Sequence, residues 1–161
     1  MSSKVSLGLA AAILLAAGSA QAATVTTSFN NKITIAAECI VGAVSDIDFG
    51  THGILATNID GSTDINVTCT NSTAFSVALD KGLTGANTSA RVMTGPGAPV
   101  SYSLYSDAAR SSNWGNVYPN DTVQGTGTGS AQTLTVFGRV PPQAAPTPGA
   151  YSDTVRVTVS Y

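Results

Sequence analysis

The sequence predicts an all-β sandwich, and three observations carry that prediction. After residue 22, short runs rich in Thr and Val alternate with clusters of Gly, Pro, Asn and Asp. The last nine residues, Asp153 to Tyr161, alternate without interruption. Val155, Val157, Val159 and Tyr161 share one face, and Thr154, Arg156, Thr158 and Ser160 the other. That is the pattern of a half-buried antiparallel strand built from β-branched residues. Beyond residue 22 no apolar repeat of helical period exceeds two turns, which argues against an α/β arrangement.

Residues 1–22 read as an export signal. Lys4 gives a positive start, Val5 to Ala17 is an apolar run too short for a stop-transfer span, and Ala20-Gln21-Ala22 is a small-residue cleavage site. The mature chain is expected to begin at Ala23 and to form one domain over 23–161. Losing Lys4 from 7 basic residues leaves 6 against 9 acidic ones. With 10% charged residues and no basic stripe, no nucleic-acid partner is expected.

Two cysteines, Cys39 and Cys69, remain. In an exported chain the expected state is a disulfide between them. A metal site is the weaker reading, because His52 is the only histidine and no C-x-x-C spacing occurs.

From Val25 the odd positions read Val25, Thr27, Phe29, Asn31, Ile33, Ile35, Ala37, Cys39 and Val41. Such a run is long for one strand and is expected to divide. Residues 24–33 then form an extension, and Ile33 to Val41 the first strand of the body. Ile47 to Gly50 reads as a short strand ending in a turn. Thr63 to Cys69 follows, with Ile65, Val67 and Cys69 inward, and then Thr73 to Asp80, with Phe75, Val77 and Leu79 inward. Ala90 to Thr94 is a short strand stopped by Gly95-Pro96-Gly97. Val100, Tyr102 and Leu104 share the buried face of the next. Asp107 to Asn120 is a polar connection carrying Trp114. Gln132 to Val140 alternates through Leu134, Val136 and Gly138. Pro141 to Gly149, with four prolines, is loop. The closing strand has no turn and pairing strand after it, so its outer edge is expected to be filled by another molecule.

No catalytic constellation can be named. Gly125-Thr-Gly127-Thr-Gly129 lacks the Lys of a phosphate loop and reads as a hairpin loop. Asp46 and Asp48 read as solvated residues flanking an inward Ile47. A lone His52 after a turn has no nucleophile to serve. Neither cofactor, metal nor small-molecule substrate is expected.

The ordered features resemble the spore coat protein U family, the domain of major subunits in archaic (Csu-type) chaperone–usher pili. They are the alternating segment entering Cys39-Ile-Val-Gly42, the Phe49-Gly50 turn, Asn66-Val-Thr-Cys69, and Tyr102-Ser-Leu-Tyr105 leading to Asp107-Ala-Ala-Arg110. To these add Val136-Phe-Gly138 before the proline-rich loop, and Gly149-Ala-Tyr151-Ser-Asp153-Thr154 opening the last strand. The resemblance implies an incomplete immunoglobulin-like sandwich lacking its last strand and completed by donor-strand exchange. It implies as partners identical or related subunits, a periplasmic chaperone and an outer-membrane usher, with export through the periplasm to the cell surface. Carried onto this chain, residues 23–33 are the donor extension, with Val25, Phe29 and Ile33 as anchors and Thr27 and Asn31 between them. Val155, Val157, Val159 and Tyr161 form the acceptor edge. Asn31 departs from an apolar donor face and leaves the register open by two residues.

The function this implies is a non-enzymatic pilin, polymerising head to tail and supporting attachment and biofilm formation. A second reading is a secreted coat or matrix protein of the same fold. A third is a carbohydrate-binding module stacking sugars on Trp114, Tyr118 and Tyr105.

Overall fold

The structure is a computed structural model, and it describes residues 21–161; the expected export segment therefore lies almost wholly outside the described residues. Residues up to Thr34 and residues Ile35–Tyr161 form separate units. In the first, residues 21–34 adopt no regular secondary structure and their side chains are exposed. The second contains eight strands and, among the described residues, no helix.

The strands are β1 Cys39–Val41, β2 Ile59–Cys69, β3 Ala74–Leu79, β4 Arg91–Met93, β5 Val100–Tyr105, β6 Val123–Thr126, β7 Ala131–Val140 and β8 Val157–Ser160. Five of them form one sheet in the order β1-β2-β7-β5-β4, and the others a second in the order β6-β3-β8. Every pairing is antiparallel. The core lies between the sheets. Ile65, Val67 and Cys69 come from β2, Phe75, Val77 and Leu79 from β3, Val100, Tyr102 and Leu104 from β5, and Val136 and Val140 from β7. These are the inward positions that period two assigns.

Cys39 and Cys69 are cross-strand partners joined by a disulfide. β1 is shorter than the run Ile33 to Val41 suggests, because β2 ends at Cys69 and leaves no ladder beyond it. Thr70 substitutes for that ladder. Its hydroxyl donates to Ala36 O at 3.1 Å and accepts from Glu38 N at 3.1 Å, while its own N–H donates to Glu38 O at 2.9 Å.

Trp114 belongs to the core rather than to a surface platform. It is 1% exposed, and its indole N–H donates to Val77 O at 2.9 Å. A sugar-stacking role for it is therefore excluded. Gly125 is part of β6 and not of a free loop; it stands opposite Phe75, whose ring fills the space a side chain would take. On the outer sheet face Asp60 and Arg139 form a two-pronged pair at 2.7 and 2.9 Å, and these bonds hold the Asp60 carboxyl below its ordinary range.

The least expected core residue is Arg91, which is 0% exposed. Its guanidinium donates to four backbone carbonyls: Asp80 at 2.8 Å, Thr88 at 2.7 Å, Leu79 at 3.0 Å and Trp114 at 2.8 Å. Burial pulls it below its ordinary pKa, and the nearby Asp80, Asp121 and Asp153 oppose that shift.

Candidate functional site

The chain from Tyr151 to Ser160 keeps one parity throughout. Tyr151, Asp153, Val155, Val157 and Val159 are half-buried, and the even residues are exposed. Only Val157–Ser160 has a full ladder, with β3. The lead-in is held differently, by an isolated bridge between Ser152 and Thr94, next to β4. One extended segment thus starts against the five-stranded sheet and ends in the three-stranded one. The outer edge of β8 has no neighbouring strand among the described residues.

Beyond that edge lie residues 44–49. The sequence suggested a short strand there; none forms. No backbone–backbone bond joins 44–49 to another strand, the last being Gly42 N–H to Asn66 O at 2.8 Å. Side chains hold the segment instead. Gly61 and Gly138 are cross-strand partners on the inner face of the five-stranded sheet. A Cβ at Gly61 would stand 2.7 Å from Ile47 Cγ2, and one at Gly138 would stand 2.8 Å from Phe49 Cζ. The glycine pair is a trough that seats Ile47 and Phe49. The Thr63 hydroxyl adds one bond, to Ser45 O at 2.7 Å. Gly138→Val should cost about 1–3 kcal/mol by overpacking and unseat Phe49. Faster amide exchange confined to residues 44–50 is the expected readout, and unchanged exchange would show that the trough does not hold the wall.

Between 44–49 and the 151–157 segment runs an open groove of about 510 Å³. Its lining includes Ile65, Met93, Leu104 and Val136 from the five-stranded sheet, Leu79, Val155 and Val157 from the other side, and Ile47 and Phe49 from the far wall. The groove is open to solvent rather than an enclosed void. One end is polar. The Tyr102 hydroxyl donates to Asp153 Oδ2 at 2.6 Å, while Asp153 Oδ1 accepts from Leu83 N–H at 2.8 Å and Thr154 N–H at 2.9 Å. Burial first, then the Asp153 carboxylate, push the Tyr102 phenol well above its ordinary range. Gly82, at φ +77°, leaves the space that the Asp153 carboxylate occupies.

An apolar slot beside an unpaired strand edge can take up an extended peptide. Main-chain bonds would run along β8, and alternate side chains would enter the slot. Among the described residues no group of three or more His, Cys, Asp or Glu could hold a metal. His52 bonds Phe49 O at 2.7 Å within its turn, and Asp46 and Asp48 are exposed.

Of the expected acceptor residues, Val155 and Val157 line the groove and Val159 packs against the core. Tyr161 lies past the end of β8, 62% exposed. The expected donor residues Val25, Thr27, Phe29, Asn31 and Ile33 are all exposed, with Val25, Phe29 and Ile33 at 83–96%. Sequence reasoning missed the far wall, the polar end and Arg91. Gly138, in a row of inward Leu134 and Val136, was the available signal for the first, and Asp153, in step with Val155, for the second.

The sequence profile of the Spore Coat Protein U domain matches residues 23–158. Protein U of Myxococcus xanthus is 29% identical over 168 residues, covering 94% of this chain and 93% of that protein. A solved structure with the same fold is the CsuC-CsuE chaperone–tip adhesion subunit pre-assembly complex from the archaic chaperone-usher Csu pili of Acinetobacter baumannii. It matches with a TM-score of 0.59 at 24% identity, over 80% of this chain and 40% of that one. The present chain therefore spans less than half the length of that structural neighbour.

Proposed function

Because the chain belongs to the Spore Coat Protein U domain family, we propose that it is a structural, non-enzymatic subunit of a chaperone–usher pilus, polymerised head to tail by donor-strand exchange. The observation that carries this reading is the groove open beside residues 151–157, leading into the unpaired edge of β8, in a chain whose N-terminal segment presents an exposed row of matching period. Residues 1–22 are then the export signal, 23–33 the donor extension, and the remainder the acceptor body. Val25, Phe29 and Ile33 enter the groove of a second copy, and each buried anchor contributes about 1.5–3 kcal/mol before ordering costs. Before assembly a periplasmic chaperone covers the same groove, and the outer-membrane usher exchanges it for the next subunit. The fold likeness to a chaperone–subunit complex supports that part. Donor and acceptor are different surfaces, so the contact does not close and the product is a filament. Display at the cell surface, attachment and biofilm formation follow from such a filament.

The test compares protein from Ala23 onward with a form lacking residues 23–31, both exported to an oxidising compartment and run by size exclusion. The full form is expected as heat-resistant polymers, and the truncated form as monomer or chaperone complex. Equally stable monomers from both would remove the reading. A second reading is favoured by the family's description as a spore coat domain and by the nearly full-length match to Protein U: a coat layer assembled through the same groove. Electron microscopy of the producing cells separates the two, as fibres or as a continuous layer.

A further inference from the structure

Asp153 is the one charged residue in the inward row Tyr151, Asp153, Val155, Val157, Val159. Asn31 is the one carboxamide in the exposed row Val25, Thr27, Phe29, Asn31, Ile33. We propose that the Asp153 carboxylate, with the Tyr102 hydroxyl bound to it, is a polar subsite of the groove that receives Asn31 of a second copy and thereby selects one register. This rests on the strand-exchange reading above and adds a specificity determinant to it.

Neighbouring strands present directly opposed side chains on the same face, so an incoming segment pairs its row with that of the β8 lead-in. Run antiparallel, with Asn31 opposite Asp153, the segment places Ile33 by Tyr151, Phe29 by Val155, Thr27 by Val157 and Val25 by Val159. Phe29 and Ile33 then stand over the groove, Val25 falls past its lining beside Val159, and the one amide of the row meets the carboxylate of the β8 lead-in; the other lining carboxylate, Asp46, belongs to the opposite wall. A shift of two residues either way sets Phe29 or Ile33 against Asp153 and buries Asn31 without that partner. A parallel insertion that places Thr27 at Asp153 puts Asn31 against Val157, and one that places Asn31 at Asp153 carries Thr27 and Val25 past the groove, beside Gly149 and Thr147. Burying an amide without a hydrogen-bond partner is unfavourable, so the shifted registers and the first parallel one are disfavoured.

The subsite has capacity for one more donor. A carboxylate offers about four acceptor positions. Leu83 N–H, Thr154 N–H and the Tyr102 hydroxyl take three. An Asn31 amide N–H would take the fourth.

The experiment follows dissociation of polymers of the full exported chain in detergent at fixed temperature. Asn31→Asp sets like charge against Asp153 and should speed dissociation roughly tenfold or more, whereas Asn31→Lys should not, and low salt should widen the difference. Asp153→Asn added to Asn31→Asp should restore the slow rate. Thr27→Asp should gain nothing from Asp153→Asn. Equal effects of Asn31→Asp and Asn31→Lys, or rescue of Thr27→Asp in place of Asn31→Asp, would overturn the register. Should Asp153→Asn fail to fold, the Asn31→Asp and Asn31→Lys comparison at two salt concentrations decides alone. Should the unmodified chain form no polymers through residues 23–31, strand exchange and the register fall together. A polymerising chain indifferent to charge at Asn31 overturns the register only.

Discussion

Arg91→Leu is expected to leave little folded subunit. A buried salt bridge can often be replaced by apolar residues with little loss, because both partners leave together. Here the partners are main-chain carbonyls of Asp80, Thr88, Leu79 and Trp114, which no substitution removes. Leucine fills part of the volume and strands four acceptors in a site where the native side chain is fully buried. A stranded buried acceptor costs about 1–3 kcal/mol. Even with partial relief by entering water, the loss should reach about 3 kcal/mol, against a total of about 5–15 for a domain. The urea midpoint should fall by roughly 1 M or more, measured at one protein concentration because association adds apparent stability. Arg91→Lys should lie between, since an ammonium lacks the planar fork that reaches several carbonyls. A midpoint unchanged in Arg91→Leu would show that those carbonyls reach water.

Replacing Cys39 and Cys69 together by serine is the second large effect. The bridge spans 30 residues of sequence, and on the chain-entropy account its loss costs about 3–4 kcal/mol. For a domain of this size that corresponds to a fall in Tm on the order of 10 °C. The consequence should be local before it is global. β1 has three residues, so without the disulfide it is held by its short ladder with β2 and by the Thr70 bonds. The chain leads from β1 directly into 44–49, the far wall of the groove. A bridge-free subunit should therefore lose strand uptake at temperatures where its core still gives a folded signal from buried Trp114. Parallel loss of both signals would make the disulfide a purely global brace.

The two substitutions act on opposite sides of the groove. Arg91 fixes the turn after β3 and the Trp114 connection, which stand behind the β8 side. The disulfide fixes the start of the segment that becomes the other wall. An open slot has no strand of its own across it, so its width depends on how firmly each side is tied to the core.

Much of this was legible in the sequence. Period two by itself assigned the inward residues of β2, β3, β5, β7 and β8, because a strand's side-chain alternation is a local property of the backbone. The all-β class, the pairing of Cys39 with Cys69 and the resemblance to the spore coat family were also there to be read. Tertiary structure decided what local pattern cannot express. The apolar alternation of Ile47 and Phe49 looks like a strand, yet a strand needs a partner backbone, and only the trough at Gly61 and Gly138 determines how that segment is held. Trp114 sits in a polar stretch, and its burial depends on a carbonyl 37 residues away in β3. Nothing in the pattern around Arg91 signals its burial, which rests on four carbonyls from three separate stretches of chain converging on it. The sequence on its own determined which faces are apolar; which of them found a partner within the chain, and which was left open beside residues 151–157, was decided by packing, because closure depends on distances between segments far apart in the sequence.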